Sequence, residues 1–400
     1  MTNGYTAEII RTLGPARARC ERQLAEGGVT LPLQSRIAWA EMHPGTPSWF
    51  VAVRDAAGLC RGGIALEVAR SRALPGHLLL RGRRVGSALD ATTCAAAVAA
   101  LVHHARSDAR ILSVTVELFS RDAAAREMLG RLLAAAGFAR AAEPRHYTHT
   151  ILADLAGSDE EHLAALGYSV RRKIREVAKH PLAVRPITSV EDEPRMRALV
   201  RQTAARTGCG YADGSLGPVI ALSAAHPGLS RLAGLYRTDR NGPDSLLAFA
   251  WGCNHGDHVA YDIGASTREI DFGRVSLGYP IIWDLMSWAR RHGASWFDLG
   301  GVTAGSFGSG DPLGGISDFK RAFAKEVVQV GEEWTLVPHR GRALLARGVS
   351  NGAAFVSHLR ARIAEGTRRC APSPAGAPRQ ACRGSRPRRH RAGGCAGAPR

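Results

Sequence analysis

At 400 residues and 45% apolar composition, the chain is too long for one small core and too apolar for extended disorder, so two to three domains are expected. The formal charge is +18; nine arginines and no acid in residues 367–400 supply half of it, and the basic remainder favours a polyanionic partner such as RNA or a phosphate-rich substrate. Eight dispersed cysteines form no CxxC pair, no apolar run reaches the ~18–20 residues of a membrane span, and no signal-peptide pattern opens the chain. A reduced, cytoplasmic, metal-free monomer without a membrane span is therefore expected.

The first thirty residues carry weak signals. Trp49–Arg54 and Gly62–Val68 read as strands joined by the turn Asp55–Gly58. Asp90 caps a long apolar helix, Ile111–Leu118 alternates as a strand, Ser120 is placed to cap a second helix, and Gly137 to end it. Tyr147–Asp154 is predicted to close this unit as a further strand. Ser158 with Glu161 makes a capping box, ahead of a basic helix around Val170–Lys179, a strand over Leu182–Ile187, and helices near 190–207 and 214–225.

A second unit follows in the same order. Leu232–Tyr236, Leu246–Cys253 and Val259–Ile263 read as a meander, Val275–His292 as an amphipathic helix and Trp296–Leu299 as a buried strand. A glycine-rich loop separates that strand from a helix predicted to begin near Asp318, with Lys320 in its first turn. Val327–Leu336 is the last predicted strand and 340–364 a final helix. The repeat, about 190 residues apart, indicates duplicated domains rather than a solenoid. The predicted division is a first lobe over 1–154, a helical connection over 155–228, a second lobe over 229–366 and a disordered Arg/Pro/Gly-rich tail over 367–400.

Only four of 53 basic residues are lysines, Lys173, Lys179, Lys320 and Lys325. A lysine kept where arginine is the rule suggests a need for a compact, mobile ammonium. Lys320 lies in Ile316-Ser-Asp-Phe-Lys-Arg-Ala-Phe323, downstream of Trp296-Phe-Asp-Leu-Gly-Gly301. A buried strand ending in Gly-Gly admits close backbone approach, and an ammonium beside it suits the oxyanion of acyl transfer. The alternative is a helix whose Lys320 and Arg321 face solvent while Phe319 and Phe323 pack inward. Asp262 and Asp298 are weak candidates for a general base, since an aspartate at a strand end is often structural.

The run FDLGG, glycine loop, DFKRAF resembles the C-terminal signature of the Fem-type (FemABX) aminoacyltransferases, peptidoglycan-bridge peptidyltransferases that use aminoacyl-tRNA. Leu33-Gln34-Ser35 with Trp39 is similar to that family's N-terminal motif. Ser169-Val-Arg-Arg-Lys-Ile-Arg175 is similar to its basic helix, and Arg206 to Tyr211 to the segment after it. The resemblance implies an α/β (α+β) fold of two tandem, duplicated acetyltransferase-like (GNAT-type) lobes with a cleft between them. It implies Phe319 and Lys320 as the catalytic pair, and Arg206, Glu117, Tyr211 and Tyr261 as substrate-binding residues. Arg171, Arg172, Lys173 and Arg175 are expected to meet nucleic acid, either as a phosphate-tracking helix or as an ordinary solvated face. Where the family has a lysine shortly after the tryptophan, this chain has His43.

The expected activity is transfer of an amino acid from aminoacyl-tRNA to an amine of a peptide acceptor, a cell-wall (peptidoglycan) precursor or a peptide natural product, with aminoacyl-tRNA as co-substrate and no cofactor. Two alternatives stand beside it. One is an N-acyltransferase using acetyl-CoA or another acyl-CoA, against which the glycines of Arg268–Pro280 are wrongly spaced for a pyrophosphate turn. The other is a non-catalytic RNA- or peptide-binding scaffold.

Overall fold

Alternating and fully apolar segments pair into two sheets, and a computed structural model describes residues 4–86, 90–208, 214–271 and 275–349. The unheralded N-terminal stretch forms β1 (Thr6–Ile10) and α1 (Pro15–Glu26), followed by α2 (Ile37–Met42). Then come β2 (Ser48–Arg54), β3 (Cys60–Arg70), β4 (Leu78–Val85), α3 (Ala91–Ser107), β5 (Ile111–Phe119), α4 (Ala123–Ala135) and β6 (Ala139–Arg140). The middle holds β7 (His149–Asp154), α5 (Asp159–Ala165), α6 (Tyr168–Glu176), β8 (Leu182–Pro186), α7 (Glu193–Thr207) and α8 (Gly217–Ala225). The remainder is β9 (Ser230–Arg237), β10 (Leu246–Asn254), β11 (His258–Ser266), α9 (Gly278–Arg291), β12 (Trp296–Gly301), α10 (Gly314–Arg321), β13 (Val327–Gln329) and β14 (Gly331–Leu336). Residues 340–349 are helical, and the predicted tail lies outside the described residues.

The local signals do what their chemistry predicts. Asp90 accepts the amides of Thr92 and Thr93 at the start of α3, and Ser158 and Glu161 form the reciprocal capping box of α5. Gly137 follows α4 with φ of +94°, a conformation costly for any side chain. Asp122, not Ser120, caps α4, and the Ser120 hydroxyl instead accepts the Asp122 amide. The turn thus tightens two residues later than expected.

Among the described residues each sheet has seven strands, ordered β1-β2-β3-β4-β5-β14-β6 and β13-β7-β12-β11-β10-β9-β8. The tandem mixed α/β architecture agrees with the sequence reading, but the expected partition of strands does not. The strand predicted to close the first lobe, β7, lies in the second sheet between β12 and β13. Its Ile151 and Ala153 enter the second core. The last predicted strand breaks in two: β13 stays in the second sheet, while β14 pairs antiparallel with β5, Gly331 opposite Phe119 and Leu336 opposite Val114. Leu336 thereby joins Leu133 and Phe138 in the first core. Burial decides this exchange, since each apolar segment pairs where its inward side chains are covered.

The crossing point is tight. The Val330 carbonyl accepts the Ser120 amide at 2.9 Å, and a Cβ on Gly331 would meet the Tyr147 carbonyl oxygen at 2.8 Å. Glycine is the residue that fits there. The first core lies between β2–β5 and helices α3 and α4. The second sheet is covered on one face by α6 and α9 and on the other by α2, α7 and α8. Among the described residues no helix is long and apolar enough to cross a membrane.

Candidate active site

Both sheets contain one parallel pair beside the line where they meet. β11 and β12 pair at His258↔Trp296, Val259↔Phe297 and Ala260↔Asp298, and then part. Beyond that point β11 stays bonded to β10 while β12 turns to β7. A wedge opens between Tyr261 and the Gly300-Gly301 end of β12. Lys320 fills its mouth: the ammonium donates to the Gly301 carbonyl at 2.7 Å and lies 5.9 Å from the centre of the Tyr261 ring. A Cβ on Gly300 would come within 3.3 Å of that nitrogen and 3.0 Å of the Tyr261 carbonyl oxygen, and Gly300 also has φ of +76°. The Gly-Gly end is therefore required by close approach, as its sequence suggests.

Lys320 does not face solvent; it is 7% exposed. Nor is it in a first helical turn. α10 begins at Gly314, because the Asp311 carboxylate accepts the Leu313 amide and closes the turn ahead of it. Lys320 consequently lies in the last turn and not in the first. The glycine loop folds back on α10: Arg321 donates to the Thr303 and Gly305 carbonyls, and Asp318 accepts the Phe307 amide. Phe319 points away from the wedge, edge-on to Tyr279 at 4.9 Å and to Phe323 at 5.6 Å. The neighbours Phe319 and Lys320 thus divide the work, one packing the helix down and the other presenting charge.

A cleft of about 570 Å³, counted to its open mouth, lies between the sheets. Gln34, Arg83, Arg84, Glu117, His146, Tyr147, Asp262, Glu332 and Glu333 contribute to its wall. Glu117, on β5, is 7% exposed and takes a short ion pair from Arg81, with His146 Nε2 at 3.3 Å and Arg83 at 3.7 Å. Burial raises the affinity of Glu117 for a proton; the His146 hydrogen bond and the charges of His146, Arg81 and Arg83 outweigh it and hold the carboxyl below its usual value.

β4, which carries these arginines, is absent from the sequence reading, although Leu78, Leu80 and Gly82 alternating with Arg81 and Arg83 is a strand signal. Its end is bulged. Pairing with β5 slips between Gly82 and Val85, and Arg84 has φ of +48°, alone among described non-glycine residues. The bulge aims Arg84 across to the second sheet. There it donates to Tyr147 Oη at 2.7 Å, lies 3.0 Å from His258 Nε2 and 3.5 Å from Asp298, and stacks on Phe119. Burial opposes its charge, while Tyr147, Asp298 and Asp262 more than compensate. Asp298 is fully buried and accepts from Tyr147, Thr150 and the Gly300 amide. It holds the glycine turn behind Lys320 and has no free face for proton transfer. Asp262, by contrast, is exposed and lines the cleft.

The other expected residues are dispersed. Arg206 is exposed in the last turn of α7, 3.5 Å from the Ser266 carbonyl, and burial followed by the charge of Arg268 lowers its pKa. Tyr211 lies outside the described residues. In the basic helix α6, Val170 and Ile174 face inward. Arg171 is spent on the Ala164 and Leu166 carbonyls at the end of α5, and Lys173 on the Tyr279 hydroxyl at 3.2 Å. Only Arg172 and Arg175 of the expected four are exposed, because a helix anchored by one face can offer solvent only the opposite one.

Residues 164–321, from the end of α5 to the end of α10, match the family model of an acetyltransferase (GNAT) domain. No curated protein matches the sequence. Among solved structures, the crystal structure of FemX superposes with a TM-score of 0.64 at 15% identity, covering 82% of this chain and 97% of that one. The fold is Fem-like. The likeness read from the four sequence motifs is thus borne out in the architecture. More distant are L-PGS from Bacillus licheniformis (TM-score 0.47, 11% identity, 86% of this chain and 99% of that one) and a tandem GNAT protein from the clavulanic acid biosynthesis pathway (0.47, 14%, 83% and 99%). Neither adds to the argument. Domain and Fem-like fold are those of acyltransferases.

Proposed function

We propose that this Fem-like protein is an aminoacyltransferase that moves an amino acid from aminoacyl-tRNA to an amine of a peptide acceptor, a peptidoglycan precursor or a peptide natural product. The observation that carries acyl transfer is the buried Lys320 ammonium at the parted end of β11 and β12. Attack of an amine on the aminoacyl ester makes a tetrahedral oxyanion, and a fixed ammonium in a water-poor site stabilises it. The ester bond to the ribose oxygen then breaks as the amide forms, and the departing oxygen takes up the proton that the amine gives up. The cleft between the sheets, lined by Asp262 next to Tyr261, receives the acceptor. Arg206 beside Arg268 is the proposed phosphate contact, and Arg172 with Arg175 the contact to the acceptor stem of the tRNA.

The tRNA donor is supported by the Fem-like fold and by the four motifs in family order. An acyl-CoA donor remains the second reading because the matched domain model is a GNAT acetyltransferase. Against it, the amino end of α9, where helix amides would meet a pyrophosphate, is flanked by Phe319, whose ring would touch a Cβ on Gly278 at 3.2 Å.

Full-length protein incubated with labelled total aminoacyl-tRNA and a panel of peptide amines should form a labelled amide that RNase pretreatment abolishes. Transfer from acetyl-CoA that RNase leaves untouched would overturn the donor assignment. Tight, salt-sensitive tRNA binding without product from either donor would make the protein a binding scaffold instead.

A further inference from the structure

Four carboxylates wall the cleft, and three of them are already occupied. Glu117 is held by Arg81, Arg83 and His146. Glu332 takes Arg140 at 3.0 Å and the Trp334 indole at 3.0 Å. Glu333 takes Arg145 side chain and backbone. Asp262 is the fourth, exposed on β11, and among the described residues it makes no hydrogen bond or ion pair. Arg84, whose charge Asp262 supports, already donates to Tyr147 and is turned toward His258 and Asp298. The same cleft contains a second oxygen without a partner, the buried Oε1 of Gln34. Gln34 belongs to the N-terminal Gln-Ser motif, whose backbone neighbour Leu33 is pinned by its amide to His255 Nδ1 at 3.1 Å.

A carboxylate and a glutamine with an unpartnered amide oxygen line one cavity whose other carboxylates are already paired. A ligand group matching them must bring protons and positive charge. We infer that Asp262, with Gln34, is the binding site for a primary ammonium, and that the acceptor enters as a side-chain or terminal –NH3⁺ anchored there. This rests on the proposed acyl transfer to an amine, and it reassigns the acceptor anchor from Glu117, which the resemblance suggested, to Asp262. The placement suits the chemistry, because Asp262 follows Tyr261, whose ring faces Lys320. An ammonium on Asp262 is thus one residue along β11 from the wedge where the oxyanion would form.

The test uses full-length protein and two peptides: a lysine-containing tripeptide with capped ends, and the same peptide acetylated on its side-chain amine. Equilibrium binding by calorimetry should show the free amine at least tenfold tighter. Asp262→Asn should erase that preference and Asp262→Glu should restore most of it, with unchanged melting temperatures. Equal binding of both peptides to the wild type, or a preference that survives Asp262→Asn and disappears in Glu117→Gln, would overturn the assignment. Because binding needs no donor, the proposed function can fail separately: wild-type protein that selects the amine through Asp262 yet makes no amide from aminoacyl-tRNA leaves the ammonium site standing. Conversely, RNase-sensitive transfer with an Asp262→Asn variant of unchanged acceptor KM removes the site and leaves the activity.

Discussion

The two sheets treat their parallel strands differently. In the first, β4 and β5 stay paired from Leu78↔Ile111 to Val85↔Leu118, through six pairs and two register shifts. In the second, β11 and β12 separate after three. Each pair ends in a cation, but the two cations have different tasks. Arg84 is committed to Tyr147, Asp298 and His258 and ties one sheet to the other. Lys320 sits at an opening, its ammonium against a backbone carbonyl. Closed pairing leaves one cation as a bolt; at the parted strands the proposed function makes the other a catalytic group. The planar guanidinium, with five donors in a fixed fork, suits the first task, and the compact ammonium the second.

Breaking the bolt should have the largest effect on stability. Arg84→Met leaves Asp298 buried with its charge uncompensated, and urea denaturation should show a loss of about 3–5 kcal/mol. A loss below about 1 kcal/mol would mean that Tyr147, Thr150 and the Gly300 amide suffice for Asp298. Lys320→Ala should leave the melting temperature nearly unchanged while turnover falls about 10²-fold, roughly 2.7 kcal/mol of barrier, with little change in either KM. Turnover equal to wild type would place the oxyanion elsewhere and dissolve the contrast between the two sheets.

Glu117→Gln should cost about 2 kcal/mol at neutral pH by removing the partner of Arg81 and Arg83. Because the native state depresses the Glu117 pKa, this contribution is complete above the ordinary glutamate value of about 4.3. It fades as the pH falls through the lower native value. Wild-type and variant denaturation midpoints should therefore converge in acid, and a gap that persists there would show packing rather than charge at work. Smallest is the effect of Arg172→Ala with Arg175→Ala. This change should weaken tRNA binding about uniformly and reduce the slope of log K against log salt by about 1–2. An unchanged slope would return that helix face to plain solvent.

Much of this organisation is legible in the residues themselves. Caps at Asp90 and Ser158, the glycine that ends α4, the apolar runs of β10 and β12 and the Gly-Gly turn are local devices. Their physics involves a handful of neighbouring atoms, so sequence suffices for them. The order of elements and the motif around Lys320 carried the fold and the class of chemistry for the same reason.

What only the tertiary structure decided is non-local. The exchange of β7 and β14 depends on which core covers Ile151 or Leu336, a comparison no segment contains. The commitment of Arg171 and Lys173 to carbonyl and phenol partners removed half of a basic face that composition counts in full. Glu117, singled out by the family resemblance, proved satisfied by arginines from a strand missing from the sequence reading, while Asp262 beside Tyr261 was left open. Charge and periodicity are properties of a chain, but whether a given charge is spent or available depends on its partners, and those are assigned only when the two sheets meet.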